Sequence, residues 1–98
     1  MKSLVILISG RGSNMQALLE SELSARVAAV ISNNPHAAGL EIAKKHNIET
    51  CIVDHRMYQD RAEFDLLLAN KIDSYQPYLV VLAGFMRVLG DSFINKYN

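Results

Sequence analysis

The chain has 98 residues, half of them apolar, and a mean hydropathy near zero, which fits one small domain with a core of a few strands and helices. Ten basic and ten acidic side chains cancel, and no basic run or tail occurs, so composition gives no support for binding nucleic acid or an anionic membrane surface. No uninterrupted apolar run approaches the roughly 20 residues that a bilayer-spanning helix needs.

Met1-Lys2-Ser3 leads without a cleavage site into Leu4-Val5-Ile6-Leu7-Ile8, so the N-terminus reads as a strand and not as a signal peptide. Such a β-branched apolar run suits a strand buried on both faces of a parallel sheet. Ser9-Gly10-Arg11-Gly12 breaks it. Ser13 is placed as a helix N-cap, with Gln16 completing a capping box, and Met15, Leu18, Leu19 and Leu23 follow at helical spacing. Val27 to Ile31 is the second predicted strand, closed by Ser32-Asn33-Asn34-Pro35. The next helix is predicted from His36 to His46, with Leu40 and Ala43 inward and Asn47 as a left-handed cap.

Thr50 to Val53 is the third predicted strand, with Cys51 expected to be buried and inert. One cysteine cannot form an internal disulfide, which makes the cytoplasm the expected compartment. Asp60 and Glu63 cap a helix whose apolar stripe is Phe64, Leu67, Leu68, Ile72 and Tyr75, and Pro77 stops it. Leu79-Val80-Val81-Leu82 is a fourth strand, expected to be buried, and Gly90 to Tyr97 begins a short helix. The order β-α-β-α-β-α-β predicts an α/β fold, a Rossmann-like open parallel sheet of about four strands with helices on both faces. No repeat, linker or low-complexity tract divides it.

Two segments carry chemistry. The Ser9-to-Asn14 turn follows a strand and opens a helix, where free amides favour an anion. Serine and glycine also suit any strand-to-helix turn, so the pattern alone leaves both readings open. Met15 stands where a dinucleotide fingerprint needs its third glycine, and Ser32-Asn33-Asn34 offers no carboxylate for a ribose. Ser13-Asn14 after Gly12 lacks the lysine of a triphosphate loop. The remaining candidate is a single phosphate, such as a ribose 5-phosphate. The second segment, Ala83-Gly84-Phe85-Met86-Arg87-Val88-Leu89, is apolar apart from Arg87. It could wall a pocket for a flat organic ligand or simply pack the core.

Ile8-Ser9-Gly10-Arg11-Gly12-Ser13-Asn14, paired with Val81-Leu82-Ala83-Gly84-Phe85-Met86-Arg87, resembles the phosphoribosylglycinamide formyltransferases of purine synthesis. The resemblance extends along all 98 residues, including Ser32-Asn33 and Gly39-Leu40. It implies formyl transfer from 10-formyltetrahydrofolate, a co-substrate, to the amine of glycinamide ribonucleotide, with no metal. It implies a phosphate-binding turn at Gly12, Ser13 and Asn14 and a folate pocket touched by Arg61, Met86, Arg87, Val88 and Leu89. An exposed charge in a helix's first turn is an equal reading of Arg61, and Arg11 receives no role. Enzymes that deformylate formyltetrahydrofolate, or formylate methionyl-tRNA, share the folate architecture, and the Gly12-Ser13-Asn14 turn favours the ribonucleotide enzyme over both.

The resemblance also implies what these residues do not supply. Family members continue past a segment like Phe93-Ile94-Asn95-Lys96-Tyr97 to an Asn-x-His-Pro motif, whose asparagine and histidine act with a later aspartate. No residue of the 98 matches them, and His36, His46 and His55 are too scattered for a metal site. The expectation is a single N-terminal formyltransferase domain fragment, residues 1–98, without the C-terminal catalytic part and inactive alone. A non-catalytic phosphometabolite-binding module and one chain of a split enzyme remain as alternatives. The apolar strand Leu79 to Leu82, left without neighbours, is expected to cause self-association or to need a complementing C-terminal chain.

Overall fold

The computed structural model describes residues 3–20, 26–58 and 60–85. Their elements are β1 (Ser3–Ile8), α1 (Ser13–Glu20), β2 (Arg26–Ser32), α2 (Gly39–Lys45), β3 (Glu49–Ile52), a 3-10 turn (His55–Met57), α3 (Arg61–Asp73) and β4 (Leu79–Leu82). The strands form one parallel sheet in the order β3-β2-β1-β4, which is the expected open α/β arrangement. The short helix expected over residues 90–97 lies outside the described residues.

β1 occupies the middle of the sheet, and its alternating side chains feed two cores. Val5 and Leu7 join Ile31 and the Phe64, Leu68 and Ile72 of α3 on one face. Ile6 and Ile8 join Val30, Met15 of α1, and Leu40 and Ala43 of α2 on the other. Both faces are therefore covered, and Val5 through Ile8 have no exposed surface at all.

Local chemistry sets the ends of the elements. α2 begins at Gly39 and not at His36, because the preceding residues form side-chain turns. The Ser32 hydroxyl accepts from Asn34 N–H at 3.0 Å, and Asn34 Oδ1 accepts from His36 N–H at 3.0 Å. Such bonds offer the backbone an alternative to helix, and Pro35 disfavours helical geometry at Asn34. At the other end Asn47 adopts φ 60, as expected of a left-handed cap. Ile48 N–H reaches Ala43 O and Asn47 N–H reaches Lys44 O, both at 3.0 Å, closing a Schellman motif. Asp60 caps α3, its carboxylate accepting from Glu63 N–H at 2.8 Å. α3 ends at Asp73, and a positive φ at Gln76 turns the chain into Pro77.

Several burial expectations are corrected. Leu66 and Leu67 are exposed, while Asp65 and Ala69 are buried, so the α3 stripe runs through Phe64, Asp65, Leu68, Ala69 and Ile72. Tyr75 lies beyond the helix end but still packs on that core, and burial followed by the Glu49 carboxylate pushes its phenol pKa up. Cys51 is half-buried, because β3 is an edge strand. β4 is also an edge strand among the described residues. Leu79 and Leu82 are exposed and Val80 and Val81 only half-buried, so the apolar β4 edge is present and the expectation of a buried strand is not met.

These placements separate two apolar residues on one helix, buried Phe64 and exposed Leu66. Phe64→Ala is expected to lower stability by about 3–5 kcal/mol through the cavity it opens between α3 and β1. Leu66→Ala, at an exposed position, should stay within about 1 kcal/mol of the parent protein in urea unfolding.

Candidate functional site

In an open parallel sheet the ligand crevice opens where successive connections leave to opposite sides. Here that point lies between β1 and β4. The chain leaves β1 through α1 toward β2, and it returns to the other side of β1 through α3 and β4. α1 covers one face and α3 the other, on either side of the carboxyl ends of β1 and β4. The Ser9-to-Asn14 turn leaves the end of β1, and Ala83-Gly84-Phe85 leaves the end of β4. The two are adjacent: Leu7 pairs with Leu82, and Ala83 N–H donates to Leu7 O at 3.0 Å. Two segments far apart in sequence thus meet at one mouth.

The turn after β1 is tightly determined. Gly12 has φ +75, in the left-handed region, and is buried. Its carbonyl accepts from Gln16 N–H at 2.7 Å, so Gly12 takes the capping position and Ser13 is the first helical residue instead of the N-cap. A trans peptide directs N–H opposite to C=O, so Ser13 N–H points out beyond the start of α1. The amides of Ser13, Asn14 and Met15 have no acceptor within the helix. Ser13 and Asn14 are exposed, and no first-turn side chain of α1 is acidic. Converging amides at the positive end of a helix dipole suit an anion.

The glycine requirement at position 12 comes from inside the protein. A Cβ there would stand 2.7 Å from Gly39 Cα and 3.2 Å from Met15 Cε. The backbones at Gly12 and Gly39 therefore touch, which the spacing of the turn could not reveal. Gly39 N–H donates to Gly10 O at 3.0 Å. Beneath the turn, the Ser9 hydroxyl donates to Asn33 Oδ1 at 2.7 Å in a buried pair, and Asn34 Nδ2 reaches Ser9 O at 3.5 Å. Apart from Met15, these contacts come from the connection between β2 and α2: Asn33 and Asn34 of its loop and Gly39 at the start of α2.

Of the residues that the resemblance implied, Gly12, Ser13 and Asn14 sit together at the crevice mouth. Arg61 is the exposed first residue of α3, at the same end of the sheet. Met86, Arg87, Val88 and Leu89 lie outside the described residues, while Phe85 just before them is half-buried against the α3 core. His36 and His46 are exposed. Among the described residues, no group of three or more His, Cys, Asp or Glu is placed to hold a metal. Nor is any helix there long and apolar enough to cross a membrane.

A family profile described as formyl transferase matches residues 1–98. The chain belongs to the formyl transferase family. It is 40% identical to the phosphoribosylglycinamide formyltransferase of Escherichia coli (strain K12), with 97% of this chain and 47% of that protein aligned. It is 41% identical to the trifunctional purine biosynthetic protein adenosine-3 of Bos taurus, over 95% of this chain and 10% of that protein. The solved phosphoribosylglycinamide formyltransferase of Coxiella burnetii superposes with a TM-score of 0.92 at 41% identity, covering 99% of this chain and 47% of that one. Glycinamide ribonucleotide transformylase 1 of Symbiobacterium toebii gives a TM-score of 0.90 at 36% identity, over 99% and 48%. The chain thus spans about half the length of the single-function relatives and a tenth of the trifunctional one.

In this formyl transferase fold the two glycines of the turn have unequal roles. A Cβ at Gly10 would meet nothing within 4 Å. Gly10→Ala is therefore expected to change stability by no more than about 0.5 kcal/mol. Gly12→Ala combines a left-handed backbone with overlap on Gly39 and should cost about 2 kcal/mol or more. Chemical denaturation of the two variants side by side checks the difference.

Proposed function

We propose that this chain forms the ribonucleotide-binding half of a cytoplasmic phosphoribosylglycinamide formyltransferase. In that reaction the amine of glycinamide ribonucleotide attacks the formyl carbon of 10-formyltetrahydrofolate. A new C–N bond forms, the bond from carbon to the folate N10 breaks, and the amine proton ends on N10. Gly12, Ser13 and Asn14 bind the ribonucleotide phosphate through their amides. Arg61 and Met86, Arg87, Val88 and Leu89 contact the folate, the last four as the continuation of the segment that leaves β4 at the crevice. The mechanism uses no metal and engages neither nucleic acid nor membrane.

The observation that carries this reading is the position of the Gly12-Ser13-Asn14 amides at the crevice between β1 and β4. The names of the relatives support the ribonucleotide enzyme over a deformylase or a methionyl-tRNA formyltransferase. Formyl transfer also needs a group to take up the amine proton and donors for the developing oxyanion. Residues 1–98 offer no match to the family's Asn-x-His-Pro motif, so we place both tasks outside them. Residues 1–98 are thus a binding domain, inactive alone and dependent on a complementing C-terminal chain or on self-association to cover the β4 edge.

Adding glycinamide ribonucleotide to the complete ¹⁵N-labelled protein is expected to shift the Gly12, Ser13 and Asn14 amide resonances. Resonances that stay in place at saturating ligand overturn the phosphate assignment. The folate wall has a separate check. Met86→Asp puts a charge beside an apolar ligand. It should raise the KM for the formyl donor by about tenfold or more and leave that for the ribonucleotide within about twofold. A parallel rise in both would assign Met86 to the fold and not to the folate pocket.

A further inference from the structure

The turn that carries the candidate phosphate amides does not hold its own shape. Four contacts from Asn33, Asn34 and Gly39, in the connection from β2 into α2, converge on it. Gly39 N–H holds the Gly10 carbonyl at 3.0 Å. Because the peptide is trans, this bond aims Arg11 N–H away from α2. The two backbones abut: a Cβ at Gly12 would overlap Gly39 Cα at 2.7 Å, and one at Gly39 would crowd Gly12 Cα at 3.1 Å. Asn33 accepts from the Ser9 hydroxyl at 2.7 Å in a buried pair, fixing the base of the turn. Asn34 reaches Ser9 O from the side at 3.5 Å. Asn33 is itself buried, as are Gly12 and Gly39.

We propose that Asn33 and Gly39 are positioning residues for ribonucleotide binding, forming a template that sets the direction of the Arg11-to-Asn14 amides. The proposal rests on the phosphate reading above. It goes further by assigning affinity to residues of a different strand-to-helix connection, which act through the turn. Anion binding by backbone amides is sensitive to such bracing, since the donors must converge before the ligand arrives. A turn pushed aside by a few tenths of an ångström keeps its fold but loses convergence.

The packing around Gly39 allows a test that separates positioning from stability. A Cβ at Gly39 would stand 2.6 Å from Ile8 Cδ1, 3.1 Å from Gly12 Cα and 3.3 Å from Gly10 O. The first clash is with a side-chain tip, and the other two are with the turn itself. Ile8→Val removes Cδ1 and relieves only the first. In the complete protein, Gly39→Ala is expected to lower the thermal midpoint and to weaken glycinamide ribonucleotide by about tenfold, with formyl-donor affinity within about twofold. Ile8→Val combined with Gly39→Ala should recover most of the midpoint relative to Ile8→Val alone, yet keep the tenfold loss. Ribonucleotide affinity that returns with the midpoint, or a loss shared equally by both ligands, overturns the proposal.

Ser9→Ala gives an independent arm, because it deletes the hydroxyl that Asn33 holds without adding bulk. It should weaken the ribonucleotide by about fivefold and spare the formyl donor, and unchanged ribonucleotide affinity would count against the template. If ribonucleotide leaves the Gly12, Ser13 and Asn14 amides of the unsubstituted protein undisturbed, the phosphate reading falls and takes the template with it. If those amides respond but the variants bind as tightly, the template alone falls.

Discussion

β1 is the strand on which the remaining elements are assembled. Its last four side chains, Val5 to Ile8, are wholly buried and alternate between two separate cores. A strand buried on both faces can be satisfied only by covering elements on each side. α1 and α2 meet that demand on one face and α3 on the other. The chain must therefore cross the sheet after leaving β1 one way and before rejoining it the other way. That crossing places β2 and β4 on opposite flanks of β1 and opens a crevice at the carboxyl ends of β1 and β4. The site's location is in this sense a consequence of where apolar surface had to be hidden.

Within the crevice the determining contact is backbone against backbone. Gly12 and Gly39 come from different strand-to-helix connections, yet their Cα atoms sit where any side chain would intrude. Close approach lets Gly39 N–H reach Gly10 O, and the Ser9–Asn33 pair seals the underside. The buried polar groups of this region thus satisfy one another. The exposed amides of the first α1 turn remain as the polar surface that the crevice presents. Under the proposed reading, these main-chain groups are the ones that would meet the phosphate.

Most of the architecture could be read from the amino-acid order. Apolar runs marked all four strands, β4 to the residue, and Asp60 and Asn47 marked a helix start and a helix end through their own cap chemistry. The misplaced start of α2 has a local cause. Asn34 and Ser32 tie up the backbone that helical periodicity alone would extend to His36. The burial pattern failed differently: Leu67 of α3 and Leu79 and Leu82 of β4 are apolar yet exposed, and Asp65 of α3 is polar yet buried. Hydropathy reports a side chain's preference, whereas exposure depends on which neighbours the sheet order supplies.

The sequence by itself determined the α/β class, the strand-to-helix turn at Ser9 to Asn14, and, through two separated motifs, the family resemblance. These are encoded within a few neighbouring residues, where turn chemistry, capping and apolar period act directly. Only the tertiary structure decided that β4 pairs with β1, that the two motifs share one crevice mouth, and that Gly12 is glycine because of Gly39. Each of these depends on which distant segments come into contact. Gly12 and Gly39 lie 27 positions apart in the sequence, and no local pattern records that their backbones will touch.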